Sequence, residues 1–464
     1  MLLNDLYAVI EKKIKKHLPE SFHELEDAWI VGGAIREIIV NKKKDIKEID
    51  ITANIKHKDE IEKIFTKKYG ESHKVNKRFQ TLRFQSQKIN IDITYFENSI
   101  EKDLLRRDFT LNSIAWNKKF GFFDPLKGIK DIENKKIKYS KKESIKNDPV
   151  RIFRALRISS KHKFSFDKDL KKEIKKNKHL IMNCPGERIR SELKKGFNIN
   201  STNFAKLMIE TEIFEILFEE WIKTKECKAN SISKMNVQEH SLKTLGNLKK
   251  ITSSPGKHYP RWASQFKKIT KPKWWMYLGT LLHDIGKPET ICVKESKTTY
   301  PKHAQIGFEL IKKDIEKLKF SNEEKNGIEK IISNHLRVSQ LANNEREPTK
   351  KATNKFFRDL GDLSLFFIFL DLADASAYPK KVTKEILTKS HLKIHDFLFE
   401  SFFLKKEKIM PKPLLNGEDL IRIGYKEGPK IGKVLKKITD LQISEKITNS
   451  KQAINYASKE LETQ

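Results

Sequence analysis

The strongest constraint on this chain is a change of hydrophobic period near residue 140. Residues 1 to about 135 alternate short strand-like runs with helical stretches; the runs are AWIVGG (28–33), EIDIT (48–52), TLRFQS (81–86), INIDITYF (89–96) and GFFDP (121–125). That alternation predicts an α/β domain. Beyond it, strand patterns almost vanish and apolar residues recur at helical spacing, as in PVRIFRALRISS (149–160) and WWMYLGTLLHDIG (274–286). An α+β chain with an N-terminal α/β part and an all-helical remainder is therefore expected. Gly186 after NCP, and SSPGKHYP (253–260), read as joints between helices. FFRDLGDLSLFFIFL (356–370) reads as one buried helix, too short and too charged for a membrane segment.

With 464 residues, 38% of them hydrophobic, and no apolar run near the ~20 residues of a bilayer span, several cores and no membrane partner are expected. The first 18 residues read as an amphipathic helix that lacks the apolar core and cleavage site of a signal peptide, so a cytoplasmic location is expected. Cys184, Cys227 and Cys292 lie far apart and outside CxxC pairs, which supports neither a disulfide framework nor a zinc ribbon. The net charge, 95 − 62 = +33, is enough to hold RNA or DNA by counterion release.

Glu48 and Asp50 stand two apart in a strand pattern and so share a face. Hard oxygen ligands at that spacing suit magnesium, which keeps waters and bridges to nucleotide phosphates. Gly32 and Gly33 let backbone N–H groups approach a triphosphate without an intervening side chain, and Arg36 can complement its charge. Asp92 offers a third acid that could complete a two-metal clamp. Nucleotidyl transfer asks for such a set.

The ordered motifs GGAIR (32–36), EID (48–50), LLRRDFTLNSIA (104–115), DP (124–125) and DPVRIFRALR (148–157) resemble class II tRNA nucleotidyltransferases, the family that includes bacterial poly(A) polymerases. LLNGEDLIRIGYKEGPKIGKVL (414–435) is similar to that family's tail. The resemblance implies a nucleotidyltransferase head (1–135), a helical nucleotide-selecting neck (136–200), a helical body (201–400) and a tRNA-binding tail (401–464). It implies Glu48, Asp50 and Asp92 as catalytic carboxylates, the first two holding Mg2+. It places Gly32, Gly33, Arg36, Arg106, Arg107, Asp108 and Asn112, with Asp148, Arg151, Arg154 and Arg157, around the nucleotide. The family prefers aspartate where Glu48 stands, which shifts an oxygen by about a bond length; a displacement of ~1 Å at a metal site can cost ~100-fold in rate.

Asp148 and Arg151 lie three apart in NDPVRIFRALR and are expected to share a helix face, as an acceptor beside a donor. Cytosine and adenine present an amino donor next to a ring-nitrogen acceptor, whereas guanine and uracil do not, so such a pair selects C and A. An N-capping Asp148 with Pro149 at the first helical position is the structural alternative. Family members that build a full CCA end carry a long loop after the third-acid strand. Here only ENSIEK (97–102) intervenes, which favours addition of two cytidines from CTP, with the terminal A, and its ATP, left to a separate A-adding enzyme. Full CCA addition, poly(A) addition, and a hydrolase with an RNA-binding inactive head are the alternatives.

His240, His283, Asp284, His303, His335 and Asp374 occur in the order of an HD phosphohydrolase. Mixed imidazole and carboxylate ligands favour an open site for a divalent transition metal, or Mg2+ where waters dominate. Such an ion activates water against phosphate esters, and hydrolysis of RNA 3′ or 2′,3′-cyclic phosphate ends is the implied chemistry.

Overall fold

Alternation with period two decides the sheet. Ile49, Ile51, Ile91, Ile93 and Phe84 are fully buried on one face, so Glu48, Asp50 and Asp92 emerge on the other. In this computed structural model the strands β1 (Ala28–Val31), β2 (Glu48–Asn54), β3 (His73–Asn76), β4 (Thr81–Gln85), β5 (Asn90–Phe96), β6 (Ala115–Asn117) and β7 (Gly121–Phe123) form one sheet in the order β3-β4-β5-β2-β1-β6-β7. Residues 3–42, 45–76, 81–87, 89–269, 271–295, 297–342, 347–381, 383, 387, 389–404 and 412–462 are described. The β2 and β5 strands pair in parallel and the other neighbours pair antiparallel. The parallel register sets Asp50 beside Asp92, and the β4–β5 register sets Arg83 on the far side of Asp92.

The chain divides into two compact units, residues 1–217 and 218–464. In the first, the sheet is followed by the helices Arg151–His162 and Gly186–Glu210, the latter beginning at the expected joint. The longer one passes through the expected neck–body boundary at 200, and Asn200 there is non-helical (φ −156°, ψ 84°). In the second unit, helices Val237–Ser253, Trp274–Leu282, His303–Lys317, Asn322–Asn334 and Ser364–Ala375 carry the expected histidines and aspartates at or just beyond their ends or on their inner faces. Helices Gly417–Ile423, Pro429–Ile443 and Ser450–Glu462 close a small core of their own around Leu420, Val434, Ile438 and Ala457. Among the described residues no helix is long and apolar enough to cross a membrane.

Two features differ from the sequence reading. The remainder expected to be all-helical carries two short strand pairs, Lys136–Ile137 with Ser165–Phe166 and Cys292–Lys294 with Lys297–Thr299, because extended backbone between helices satisfies its polar groups by pairing. The single helix expected over 356–370 is two, Lys350–Leu360 and Ser364–Ala375, because Gly361 turns the chain with φ +57°.

Candidate active site and candidate metal centre

The Gly-Gly turn joins β1 to the helix Gly33–Val40. Gly32 has φ +71°, and a Cβ there would lie 3.1 Å from Asp50 Oδ2 and 3.3 Å from an Arg107 nitrogen. The turn therefore presses its backbone against the acid, and Gly33 N–H lies 3.4 Å from Asp50 Oδ2. Burial pushes the Asp50 carboxyl up from its ordinary value, opposed by Arg107 and reinforced by the charge of Asp92. Glu48 is exposed two residues before it. Asp92 is not free beside this pair: Arg83 holds both of its oxygens, each at 2.6 Å. The donor set thus fits one hard cation on Glu48 and Asp50, and the expected clamp through Asp92 does not fit while Arg83 neutralises it.

The helix Ile100–Leu105 begins after only three residues beyond β5, capped by the Ser99 hydroxyl, so the short connection expected from ENSIEK is present. Asp103 on that helix is buried and pairs with both Arg106 and Arg107. Behind them runs a chain of bonds, buried at Arg36, Asn112 and Asp108. Glu37 accepts from Arg36 at 3.2 Å, Arg36 donates to Asn112, Asn112 donates to Asp108 at 2.9 Å, and Asp108 pairs with Arg154 at 2.8 Å. Arg36, expected at a triphosphate, is thus spent inside this chain at 7% exposure. The physical reason is that a buried guanidinium must satisfy its donors, and the nearest acceptors are Asn112 and Glu37. Burial opposes the charge of Asp108, but Arg154 and the Asn112 amide hold its carboxyl below the usual range. Arg157 likewise turns to Glu192 at 2.9 Å. Asp124 of the DP motif accepts from Gly128 N and Ile129 N at 2.7 and 2.9 Å, a cap for the following helix.

The expected helix face shared by Asp148 and Arg151 is corrected. The helix starts at Arg151, and Asp148 precedes it in an extended conformation (φ −147°, ψ 87°). Pro149 is the cause, since its ring disfavours the helical region for the residue before it. Asp148 Oδ2 accepts from Arg188 Nη2 at 2.8 Å and lies 3.9 Å from Arg151 Nε, whereas Oδ1 is buried without a hydrogen-bond partner. Arg151 donates to the backbone carbonyls of Arg106 and Arg107 and to Ser144. Sequence reading missed Arg83, Asp103 and Arg188. Asp103 was readable, three and four residues before two arginines on a helix; Arg188 carried no local signal.

In the second unit all six expected residues converge. His240 Nε2 lies 2.6 Å from Asp374 Oδ1, and His283 Nε2 lies 3.3 Å from Asp284 Oδ2 and 3.4 Å from Asp374 Oδ1. His303 and His335 Nε2 lie 3.3 and 3.5 Å from Asp284 Oδ1 and 3.2 Å from each other. Each of His283, His303 and His335 sets Nδ1 against the carbonyl of the residue three earlier, at 2.7, 2.7 and 2.8 Å. A carbonyl only accepts, so Nδ1 carries the proton and a neutral ring turns the Nε2 lone pair inward. Lone pairs and carboxylate oxygens facing one another in a buried cluster need a cation among them, and this mixed donor set suits a divalent transition metal. Burial disfavours charge on His283, but Asp284 and Asp374 outweigh it and push the imidazole up to about 10, a proton standing where a cation is wanted. Lys287 Nζ reaches Asp284 Oδ2 at 2.6 Å, and Tyr378 stacks on His240 at 4.4 Å.

Residues 28–138 match the Poly A polymerase head domain, 163–224 the "Probable RNA and SrmB-binding site of polymerase A", and 304–457 the tRNA nucleotidyltransferase domain 2. A CC-adding tRNA nucleotidyltransferase of Synechocystis is 23% identical over 93% of this chain and 92% of its own. One from Halalkalibacterium halodurans is 34% identical over 36% of this chain and 43% of its own. Among solved structures, the Thermotoga maritima CCA-adding enzyme complexed with tRNA aligns with TM-score 0.55 and 20% identity, covering 97% of this chain and 98% of that one. A CCA-adding enzyme complexed with CTP aligns with TM-score 0.59 and 19% identity, covering 98% of each. The three domain matches stand in chain order, and the fold is shared with these solved structures over nearly the whole length.

Proposed function

We propose that the sheet-containing unit adds cytidines to tRNA 3′ ends from CTP, without a template, stopping at CC and leaving the terminal A to a separate ATP-using enzyme. The observation that carries this reading is Asp50, set beside Glu48 on one strand face and pressed against the Gly32–Gly33 backbone with Arg107 alongside. Glu48 and Asp50 would hold Mg2+, which supplies charge neutralisation at the reacting phosphate. The Gly33 N–H and Arg107 bind and orient the triphosphate, and Asp103 fixes the arginines that do so. Arg36 acts by holding Asn112, and through it Asp108, in place. Asp148 Oδ1, a buried acceptor without a partner, takes the amino group of cytosine, with Arg188 or Arg151 as the neighbouring donor. The three residues between β5 and the next helix favour CC over CCA. The tail (401–464) grips the tRNA, a partner taken over from the relatives' names.

The test is extension of a tRNA lacking CCA with CTP, ATP or both, resolved at single nucleotides. A stop at two cytidines with ATP present is expected; completion to CCA refutes the stop, and a long A tail or no product refutes the transfer reading itself.

The six-residue cluster favours a second activity in the same chain, an HD-type phosphohydrolase acting on RNA 3′ or 2′,3′-cyclic phosphate ends. Asp50→Ala is expected to abolish extension and leave hydrolysis intact; loss of neither would make the head a binding module.

A further inference from the structure

Within the transfer reading, on which this inference rests, hydrogen bonding leaves one choice open. Cytosine and adenine both offer an amino donor to the free oxygen of Asp148, so an acceptor beside a donor rejects G and U but cannot tell C from A. Size has to do so. The room for a base is the distance between the Gly32–Gly33 backbone, which meets the phosphates, and Asp148, which meets the base. We infer that Glu37 is a specificity-determining positioning residue: by latching the helix Arg151–His162 to the turn-bearing helix Gly33–Val40, it fixes that distance for a pyrimidine and so excludes ATP.

Two ties join these helices, and they start from adjacent residues. Arg36 works at a remove, through Asn112 and Asp108 to Arg154. Glu37 works directly: its Oε1 accepts from Lys161 Nζ at 2.7 Å and from His162 Nε2 at 2.9 Å, besides Arg36 Nη2 at 3.2 Å. Lys161 and His162 stand seven and eight residues beyond Arg154. At 1.5 Å per residue the helix is gripped at points about 11–12 Å apart. Arg151 strengthens the first grip by donating to the carbonyls of Arg106 and Arg107. At the other end, among the described residues, the ion pairs from the helix to the head both fall on Glu37. Asp148 lies on the opposite side of Arg154 from that end. The helix is therefore a lever with its fulcrum near Arg154, and whatever Glu37 releases at one end moves Asp148 at the other.

Charge makes the latch firm. One largely buried carboxylate stands among three donors, two of them permanently cationic, where water screens poorly. With that charge removed, Arg36 and Lys161 face each other as like charges, and their repulsion opens the junction. A purine is larger than a pyrimidine by one fused ring, so against a held Asp148 it pushes its own phosphates out of line. A displacement of ~1 Å at the reacting group costs ~100-fold in rate, enough to reject ATP by misfit alone. A released Asp148 yields to the larger base instead.

The test is first-nucleotide addition to a tRNA lacking CCA by the full chain, with Mg2+ and either CTP or ATP. The ratio of kcat/KM for CTP to that for ATP is compared among the native chain, Glu37→Gln and Lys161→Met. The ratio is expected to fall at least tenfold in Glu37→Gln and about threefold in Lys161→Met, which cuts one of the two contacts. A role in stability alone lowers both kcat/KM values together and leaves their ratio where it was. Urea unfolding identifies the variants that fold; should Glu37→Gln not fold, Lys161→Met decides, since its side chain is 25% exposed. An unchanged ratio in a folded variant that still extends with CTP overturns the latch while the transfer reading stands. A native chain that uses ATP as readily as CTP, or uses neither, overturns the cytidine-adding reading and the latch with it.

Discussion

The Gly32–Gly33 turn makes opposite demands on its two glycines, and alanine at each position separates them. Gly32 has φ +71° and ψ −128°, a region costing a side chain about 1–3 kcal/mol, and its Cβ would sit 3.1 Å from Asp50 Oδ2, tighter than ordinary van der Waals contact. Gly33 opens the following helix, and its Cβ would meet Arg36 at 3.7 Å and Asp50 at 3.8 Å, ordinary contacts. Gly32→Ala should therefore lose about 2 kcal/mol of stability, roughly a 30-fold shift in the unfolding equilibrium, whereas Gly33→Ala should be neutral or gain up to about 1 kcal/mol from helix propensity. Function should split differently. If the backbone of this turn touches a triphosphate, a methyl at Gly33 intrudes on the ligand, and the KM for CTP should rise about tenfold in a protein that folds normally. Urea unfolding followed by single-nucleotide extension kinetics measures both. A Gly32→Ala protein as stable as the native one would refute the strain argument, and a Gly33→Ala protein with unchanged KM would refute the backbone contact with phosphate.

Other outcomes follow from single contacts. Arg83→Met uncovers the Asp92 charge beside Asp50, and this half-exposed pair should tighten Mg2+ binding at the head by up to about fivefold, read from a Mg2+ titration of extension. Gly128→Ala would drive a Cβ to 2.2 Å from the Thr110 carbonyl oxygen, at a cost of about 3 kcal/mol visible in denaturant unfolding. Burial opposes ionisation of Glu37, but His162, Arg36 and Lys161 hold its carboxyl well below the ordinary range. A depressed pKa gives stability that is present above the unfolded value near 4.3 and lost as pH falls below it. Glu37→Gln should cost about 2 kcal/mol at pH 7 and flatten the acid limb of a stability–pH curve, and an unchanged limb would count against the pairing.

The period-two strands were legible because burial on one face forces alternation, and that alone puts Glu48 and Asp50 on one face; Asp92 joins them only through the parallel β2–β5 register. The register that sets Arg83 on the far side of Asp92 was not, since pairing across β4 and β5 joins residues by geometry that no local pattern encodes. The histidine and aspartate set was legible as an ordered pattern in the sequence, although its members come from three helices and from the ends of two more. Asp148 was misread because helical spacing was extended back through Pro149, a residue that forbids it. Arg36 and Arg157 were read as ligand-facing from charge alone, yet each has an acid nearby, the half-buried Glu37 and the buried Glu192, that could not be assigned as its partner without the fold.

The spread of the cluster's ligands over helices far apart in the chain has a thermodynamic consequence. His240, His303 and Asp374 lie on three helices, and His283-Asp284 and His335 sit at the C-terminal ends of two more. An ion bound there ties together most of the helical unit and is bound by the folded unit far better than by the unfolded chain. At a free concentration of 100 times Kd it adds about 2.7 kcal/mol to that unit's stability. Chelation should then split thermal unfolding into two transitions, the helical unit melting first and the sheet unit holding its own midpoint, so that a calorimeter reports metal status before any substrate is tried.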